Sequence, residues 1–154
     1  MCTHWLFGGG VGALAMVFAC PCPANAEGNQ VVATIDRPAV VTAVASSSVT
    51  ARPADQPARL IVKITGYQPP PNGAVLAVVK FQGEGAGPDW EIGRFGVFPT
   101  TPFTRLDTSR AQTFSLPLPK ELANRKALKL SVQLEPIRGS GTGASLEVGC
   151  AEIR

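Results

Sequence analysis

The chain contains a single histidine, His4, which lies in a segment that resembles a cleaved export signal. The processed protein would therefore have no imidazole, the usual general base at neutral pH and a common ligand of zinc and copper. This absence excludes a Ser-His-Asp or Cys-His catalyst and a copper or zinc site built from histidines. We predict that the protein is not an enzyme, and we expect no catalytic residue, no cofactor and no metal site.

Cysteine is nearly absent from the part of the chain that follows the export signal. Cleavage after Ala26 would remove Cys2, Cys20 and Cys22 and leave Cys150 alone. A single cysteine cannot form a bridge within its own chain, so the fold would rest on buried apolar surface without a disulfide. Because apolar residues alternate around Cys150, we expect a small buried side chain there, and the reactivity of its thiol stays open.

Charged side chains are missing from residues 1–26. This stretch contains an apolar run, 6–19, with the length of a signal-peptide core, and Ala24-Asn25-Ala26 supplies the small residues of a cleavage site. The run is too short and too rich in glycine for a membrane span, which needs about 20 apolar residues. We predict a signal peptide over residues 1–26, a leader over 27–30 and an exported protein that is periplasmic or secreted.

A second cleavage motif is present in the same stretch. Val17-Phe18-Ala19-Cys20 resembles a bacterial lipobox. Cleavage before Cys20 would leave a lipid anchor on that cysteine and make the protein a lipoprotein. We favour the soluble form, because Ala24-Asn25-Ala26 is the better match to its motif, and we keep the lipoprotein as the alternative.

The rest of the chain, residues 31–154, has the length of one domain with its own core. The net charge of the chain is +3, but the lysines and arginines are scattered along it. Such a distribution is typical of a solvated surface. Without a basic run or interleaved exposed aromatic residues, we expect no nucleic-acid partner.

Short segments of alternating or β-branched apolar residues follow one another along this domain. Turns rich in proline and glycine separate them, and residues 139–143 are expected to form a hairpin loop. We predict strands at residues 31–35, 40–49, 60–65, 74–81, 91–98, 113–118, 128–135 and 145–153. One short helical turn is predicted over residues 119–126. The predicted fold class is all-β, a single antiparallel β-sandwich or barrel of seven or eight short strands over residues 31–154.

Aromatic residues are few, and three of them are candidates for contact with a partner. Trp90 opens a predicted strand and would be either a stacking platform for a partner or a ring half buried at a sheet edge. Phe98 and Phe103 flank a segment that contains two prolines. We expect Phe103 to be exposed, and we predict Trp90, Phe98 and Phe103 as partner-binding residues.

The order of these segments resembles the C-terminal domain of plant-type polyphenol oxidases and related bacterial tyrosinases. Val79-Lys80-Phe81 resembles the first half of the Lys-Phe-Asp-Val signature of that domain. Residues 32–38 are similar to its opening strand, which ends in Arg-Pro, and residues 92–99 are similar to its Gly-Ser-Phe strand. Residues 130–139 and 146–153 resemble its closing hairpin. The similarity extends over residues 31–153.

The chain also departs from that family. Gln82-Gly83 stands where the signature has Asp-Val, and Arg94 stands where the family has Ser. The catalytic di-copper domain and its histidines are missing from this sequence. Any role that the resemblance implies is therefore the role of the C-terminal domain alone.

In that family the C-terminal domain is a lid that covers the copper site of the oxidase. The resemblance thus implies an exported, non-enzymatic accessory or capping protein for a separately encoded tyrosinase-like oxidase. The alternative belongs to another class, a periplasmic or cell-surface β-sandwich module that binds a glycan or a protein through Trp90. Likeness of fold alone does not decide between them.

Overall fold

Eight strands and one 3-10 turn form the part of the chain that this computed structural model describes, residues 31–46, 56–83, 89–98 and 100–154. The predicted signal peptide (1–26) and leader (27–30) lie outside the described residues. The strands are β1 (Val31–Thr34), β2 (Ala39–Ala45), β3 (Arg59–Gln68), β4 (Ala74–Phe81), β5 (Trp90–Phe95), β6 (Gln112–Pro117), β7 (Ala127–Arg138) and β8 (Ser145–Ile153).

Alternating burial along the strands confirms the predicted all-β class. In β2, for example, Ala39, Val41 and Ala43 are buried, whereas Val40 and Val44 are exposed. Strands with this period place one face in a core and leave the other to solvent. Among the described residues, no helix has both the length and the apolar character needed to cross a membrane.

The strands form a single sheet that is nearly closed into a barrel. Its order is β5-β4-β7-β2-β8-β3-β6, and β1 pairs with β8 beside this path. The rings of Phe95 and Phe114 stack across the remaining gap between β5 and β6, with centroids 4.0 Å apart. Side-chain packing therefore joins the two edge strands where backbone pairing stops.

The strand pairs of the described residues are antiparallel, as predicted, with one exception. The exception is the end of β2, where Val44 and Ala45 lie parallel to Glu152 and Ile153 of β8. The loop over 139–143 is also not a hairpin loop. It joins β7 to β8, but β2 lies between these two strands.

The one short helical turn falls elsewhere than predicted. The 3-10 turn spans Thr108–Arg110, in the connection between β5 and β6. Residues 119–125 instead form successive tight turns, in which the N–H groups of Leu122 and Arg125 donate to the carbonyls of Pro119 and Leu122. Bonds between residues three apart do not extend into an α-helix here.

A bulge in β8 determines the environment of Cys150. Cys150 pairs with Lys63 and Val148 pairs with Ile64, so Gly149 is the extra residue between them. The slip places Ala151 and Ile153 in the core and leaves Cys150 only half buried. Cys150 is thus half buried where a buried side chain was expected, and in the full chain it is disulfide-bonded. A fold without a disulfide after cleavage at Ala26 stays a prediction.

Two loops meet at one end of the barrel, where β3 ends and β4 begins, which we call the upper end. Gly73 has a φ of +98°, and a Cβ atom built there would lie 2.0 Å from the carbonyl oxygen of Arg138. Only glycine fits such a position, because both the dihedral angle and the space exclude a side chain. The turn before β4 is thereby packed directly against the end of β7.

Replacing this glycine should be costly. We expect Gly73→Ala to lower the free energy of unfolding by about 2–4 kcal/mol, because a backbone atom cannot move aside as a side chain can. The matched control is Gly96→Ala, whose Cβ would meet only a Leu76 methyl group at 3.5 Å. Urea unfolding of both variants measures the difference, and equal stabilities would contradict the packing described here.

Candidate functional site: an anchored loop with exposed apolar side chains

The three predicted partner-binding residues differ sharply in exposure. Phe98 is 81% exposed and Trp90 is 50% exposed, but Phe103 is only 6% exposed. Phe98 follows the end of β5, whereas Trp90 begins that strand, so the two lie at opposite ends of the barrel. The structure therefore does not bring the three residues into one surface. Binding of a partner by Trp90 and Phe98 remains a prediction.

Phe103 is buried because its backbone extends the sheet. The N–H of Tyr67 donates to the carbonyl of Phe103 at 2.8 Å, and the N–H of Phe103 donates to the carbonyl of Tyr67 at 2.9 Å. Their rings also pack, with centroids 6.4 Å apart. Burial raises the pKa of the Tyr67 hydroxyl. The expected exposure of Phe103 is wrong, and its ring belongs to the core.

Arg110 holds the rest of this connection, the β5–β6 loop (residues 96–98 and 100–111). Its guanidinium donates to the carbonyl of Pro102 at 3.0 Å and to both the hydroxyl and the carbonyl of Thr101. The same group lies over the Phe103 ring, 5.6 Å from its centroid, in a cation–π geometry. The Arg110 side chain thus contacts three consecutive residues of the loop, Thr101, Pro102 and Phe103.

Gln112 fixes the other exposed part of the loop at Phe98. The side-chain NH₂ group of Gln112 donates to the Phe98 carbonyl at 2.8 Å. The side-chain oxygen of Gln112 accepts from the Phe98 N–H at 3.4 Å. Such a paired contact mimics the pairing of a neighbouring strand. The backbone of Phe98 is therefore held in place while its ring extends into solvent.

Leu106 is a further exposed apolar residue that the sequence analysis missed. It lies in the same loop and is 88% exposed. The only signal in the sequence is a large apolar residue between Arg105 and Asp107, without a periodic partner. An exposed leucine and an exposed phenylalanine in one anchored loop are typical of a protein-binding surface.

A cleft of about 410 Å³ opens beside this loop at the upper end. Glu147 lines the cleft. Its partner on the neighbouring strand β3 is Gly66, which leaves room for the Glu147 carboxylate, because a Cβ atom at Gly66 would lie 2.8 Å from one of its oxygens. A carboxylate beside aromatic walls favours a small cationic or amide group over an anion. The lining residues are Val32, Gly66, Tyr67, Gln68, Pro102, Phe103, Thr104, Ser145 and Glu147.

Trp90 lies at the end of the barrel opposite the upper end, which we call the lower end. It pairs across strands with Phe81, and the guanidinium of Arg125 lies 5.4 Å from the centroid of the Phe81 ring. The indole is half exposed, and its residue lies opposite Phe81 in the sheet. This arrangement is compatible with a stacking platform, which is the alternative role predicted for Trp90.

Two acidic residues on the strands near Trp90, Glu91 and Glu135, form ion pairs with Arg94. Arg94 contacts both carboxylate oxygens of Glu91 at 2.8 Å and reaches Glu135 at 3.1 Å. The hydrogen bond from Arg94 lowers the pKa of the Glu91 carboxyl. The same bond raises the pKa of Arg94. No group of three or more possible metal ligands occurs within residues 31–46, 56–83, 89–98 and 100–154.

We found no match to this chain among protein-family models, curated proteins or solved structures. The resemblance to the C-terminal domain of polyphenol oxidases is therefore carried by the sequence segments alone.

Arg110 is expected to control the order of the β5–β6 loop. Arg110→Ala should raise amide hydrogen exchange at Phe103 and Asp107 by about tenfold or more, because the loop then opens locally. Arg110→Lys should behave similarly, since an ammonium cannot reproduce the planar fork of donors. Arg138→Ala removes an exposed arginine elsewhere at the upper end and should leave exchange unchanged. Unaltered exchange in both Arg110 variants would contradict this role.

Glu91 should titrate below its ordinary pKa of 4.5. Its ion pair with Arg94 therefore stabilises the fold above the unfolded pKa, and that stabilisation is lost as the pH falls through the lower folded value. NMR titration of the Glu91 side chain measures the shift, and Arg94→Gln should move the pKa back towards 4.5. Arg37→Gln is the control, and an equal change in that variant would contradict the assignment.

Proposed function

We propose that the protein is an exported, non-enzymatic capping protein that binds a separately encoded tyrosinase-like oxidase. The observation that carries this proposal is the exposed ring of Phe98 on a backbone held by Gln112. Cap proteins act by shape and contact, so they need an exposed anchor rather than catalytic groups. The sequence resemblance supplies the class of partner.

The fixed loop supports a role in protein binding. Association costs free energy when flexible side chains and loops become ordered. Contacts from Arg110, Gln112 and Tyr67 order the β5–β6 loop before a partner arrives. Exposed aromatic anchors on ordered segments are the residues that contribute most to protein interfaces.

The chemistry of Phe98 fits the proposed partner. A tyrosinase-like enzyme has a cavity for a phenol ring, and the side chain of Phe98 is such a ring without the hydroxyl group. It would fill the cavity and exclude substrate, and without a hydroxyl group its ring is not a phenol that the enzyme could oxidise. Because Phe103 is buried, we propose Phe98 and not Phe103 as the blocking side chain.

A second candidate function is favoured by one observation, the half-exposed Trp90 beside Phe81. Under this alternative the protein is a periplasmic or surface module that binds a glycan or a protein at the lower end. The two candidates use opposite ends of the barrel. Substitutions at each end can therefore separate them without ambiguity.

The cap proposal is tested by mixing the full chain with a tyrosinase-like oxidase of the same genome and measuring phenol oxidation. We expect inhibition, and we expect Phe98→Ala to weaken binding by about 2 kcal/mol or more, roughly 30-fold in Kd. Phe98→Tyr should still bind but present a phenol, so the oxidase should add an oxygen atom to the variant, which mass spectrometry detects.

Trp90→Ala is the matched aromatic control and should leave inhibition of the oxidase intact. The proposal fails if the wild-type chain neither binds the oxidase nor changes phenol oxidation. Binding to a glycan array that is abolished by Trp90→Ala and not by Phe98→Ala would establish the alternative instead.

A further inference from the structure

Glu147 differs from the other acidic residues of the described ranges, because it is partly buried and has no counter-charge there. Ion pairs with arginines engage four of the others, Glu91, Asp107, Glu135 and Glu152. The remaining three are exposed to solvent, Asp36, Asp89 and Glu121. Glu147 forms no ion pair or hydrogen bond with any residue that the structure describes.

The carboxylate of Glu147 belongs to the outer face of the barrel. Its neighbours in β8, Leu146 and Val148, are buried in the core, so the side chain between them lies on the opposite face. There it lines the cleft of about 410 Å³ at the upper end. A partly buried charge loses hydration that only a partner of opposite charge or hydrogen-bond donors can replace.

Gly66 provides the space next to this carboxylate. Thr65 is an extra residue in β3, because Ile64 pairs with Val148 and Gly66 pairs with Glu147. The bulge therefore places Gly66 on the outer face beside Glu147. A glycine within a strand weakens the strand and often marks a close approach by a ligand or by another part of the chain. Here a Cβ atom would lie 2.8 Å from a Glu147 carboxylate oxygen.

The other polar groups around the cleft can accept hydrogen bonds. The carbonyl oxygen of Phe103 lies 3.5 Å from the position of a Cβ atom at Gly66, and it retains a lone pair besides the one that accepts from Tyr67. Side chains with acceptor oxygens also line the cleft, Gln68, Thr104 and Ser145. Within the described residues no lysine or arginine lines it. This lining favours a ligand that is positively charged and rich in N–H donors.

We propose that this cleft binds a guanidinium or ammonium group on an apolar stem, with Glu147 as its counter-charge. The N–H groups of the ligand donate to the carboxylate and the nearby oxygens, and its stem lies against Val32 and Pro102. The cleft has the size of a small-ligand pocket, about 300–1,000 Å³. This inference does not depend on the capping function, because the ligand binds the isolated protein.

The direct test is an NMR titration of the full chain with butylguanidinium and butylammonium. Both cations should shift the amide signals of Gly66, Thr104 and Glu147. Butylurea has nearly the same shape as butylguanidinium but no charge, so it should bind at least about tenfold more weakly. Equal binding of butylurea and butylguanidinium, or no shift at these residues with either cation, would overturn the proposal.

Two variants test the two parts of the site. Glu147→Gln keeps the shape of the side chain but removes its charge, and it should weaken binding of butylguanidinium at least about tenfold. Gly66→Ala keeps the charge but fills the space beside it, and it should also weaken binding. The φ of Gly66 lies outside the left-handed region, so the alanine tests the space and not the backbone.

Glu121→Gln is the matched control, because it removes an exposed carboxylate at the lower end and should leave binding unchanged. Thermal unfolding of each variant shows that it is folded. Binding by Glu147→Gln as tight as that of the wild type would contradict the site, whatever the result for Gly66→Ala.

A last titration identifies the source of the cation, which is either a free small molecule or a side chain of another protein. An acetylated tripeptide amide with arginine between two glycines should bind more tightly than butylguanidinium if the cleft receives a protein side chain. Equal or weaker binding of the peptide would assign the cleft to a free guanidine or amine. Binding of neither ligand would overturn the proposal.

Discussion

The pairing of β8 is the constraint on which the rest of the barrel depends. One edge of this strand pairs with β3, and its other edge is shared by β1 and the end of β2. β1 and β2 pair with successive parts of that edge, and on the β3 side the strand has a bulge at Gly149, where a Cβ atom would lie 2.5 Å from a Thr65 methyl carbon. The same bulge sends Ile153 into the core and Cys150 to the outer face.

The strands themselves were predictable, because the signal for a strand is local. The segments 74–81 and 145–153 form strands with the predicted bounds. Strand order was not predictable. The insertion of β2 between β7 and β8 is a long-range pairing of Thr42 with Lys129, and no property of the intervening glycine loop specifies it.

The site was only partly predictable for the same reason. Phe98 and Phe103 flank the same proline-containing segment and look alike in sequence, yet one is exposed and the other is buried. The difference arises from Tyr67, more than thirty residues earlier in the chain, whose backbone pairs with Phe103. Leu106 lies alone among polar residues, so it offered no periodic pattern from which its exposure could be inferred.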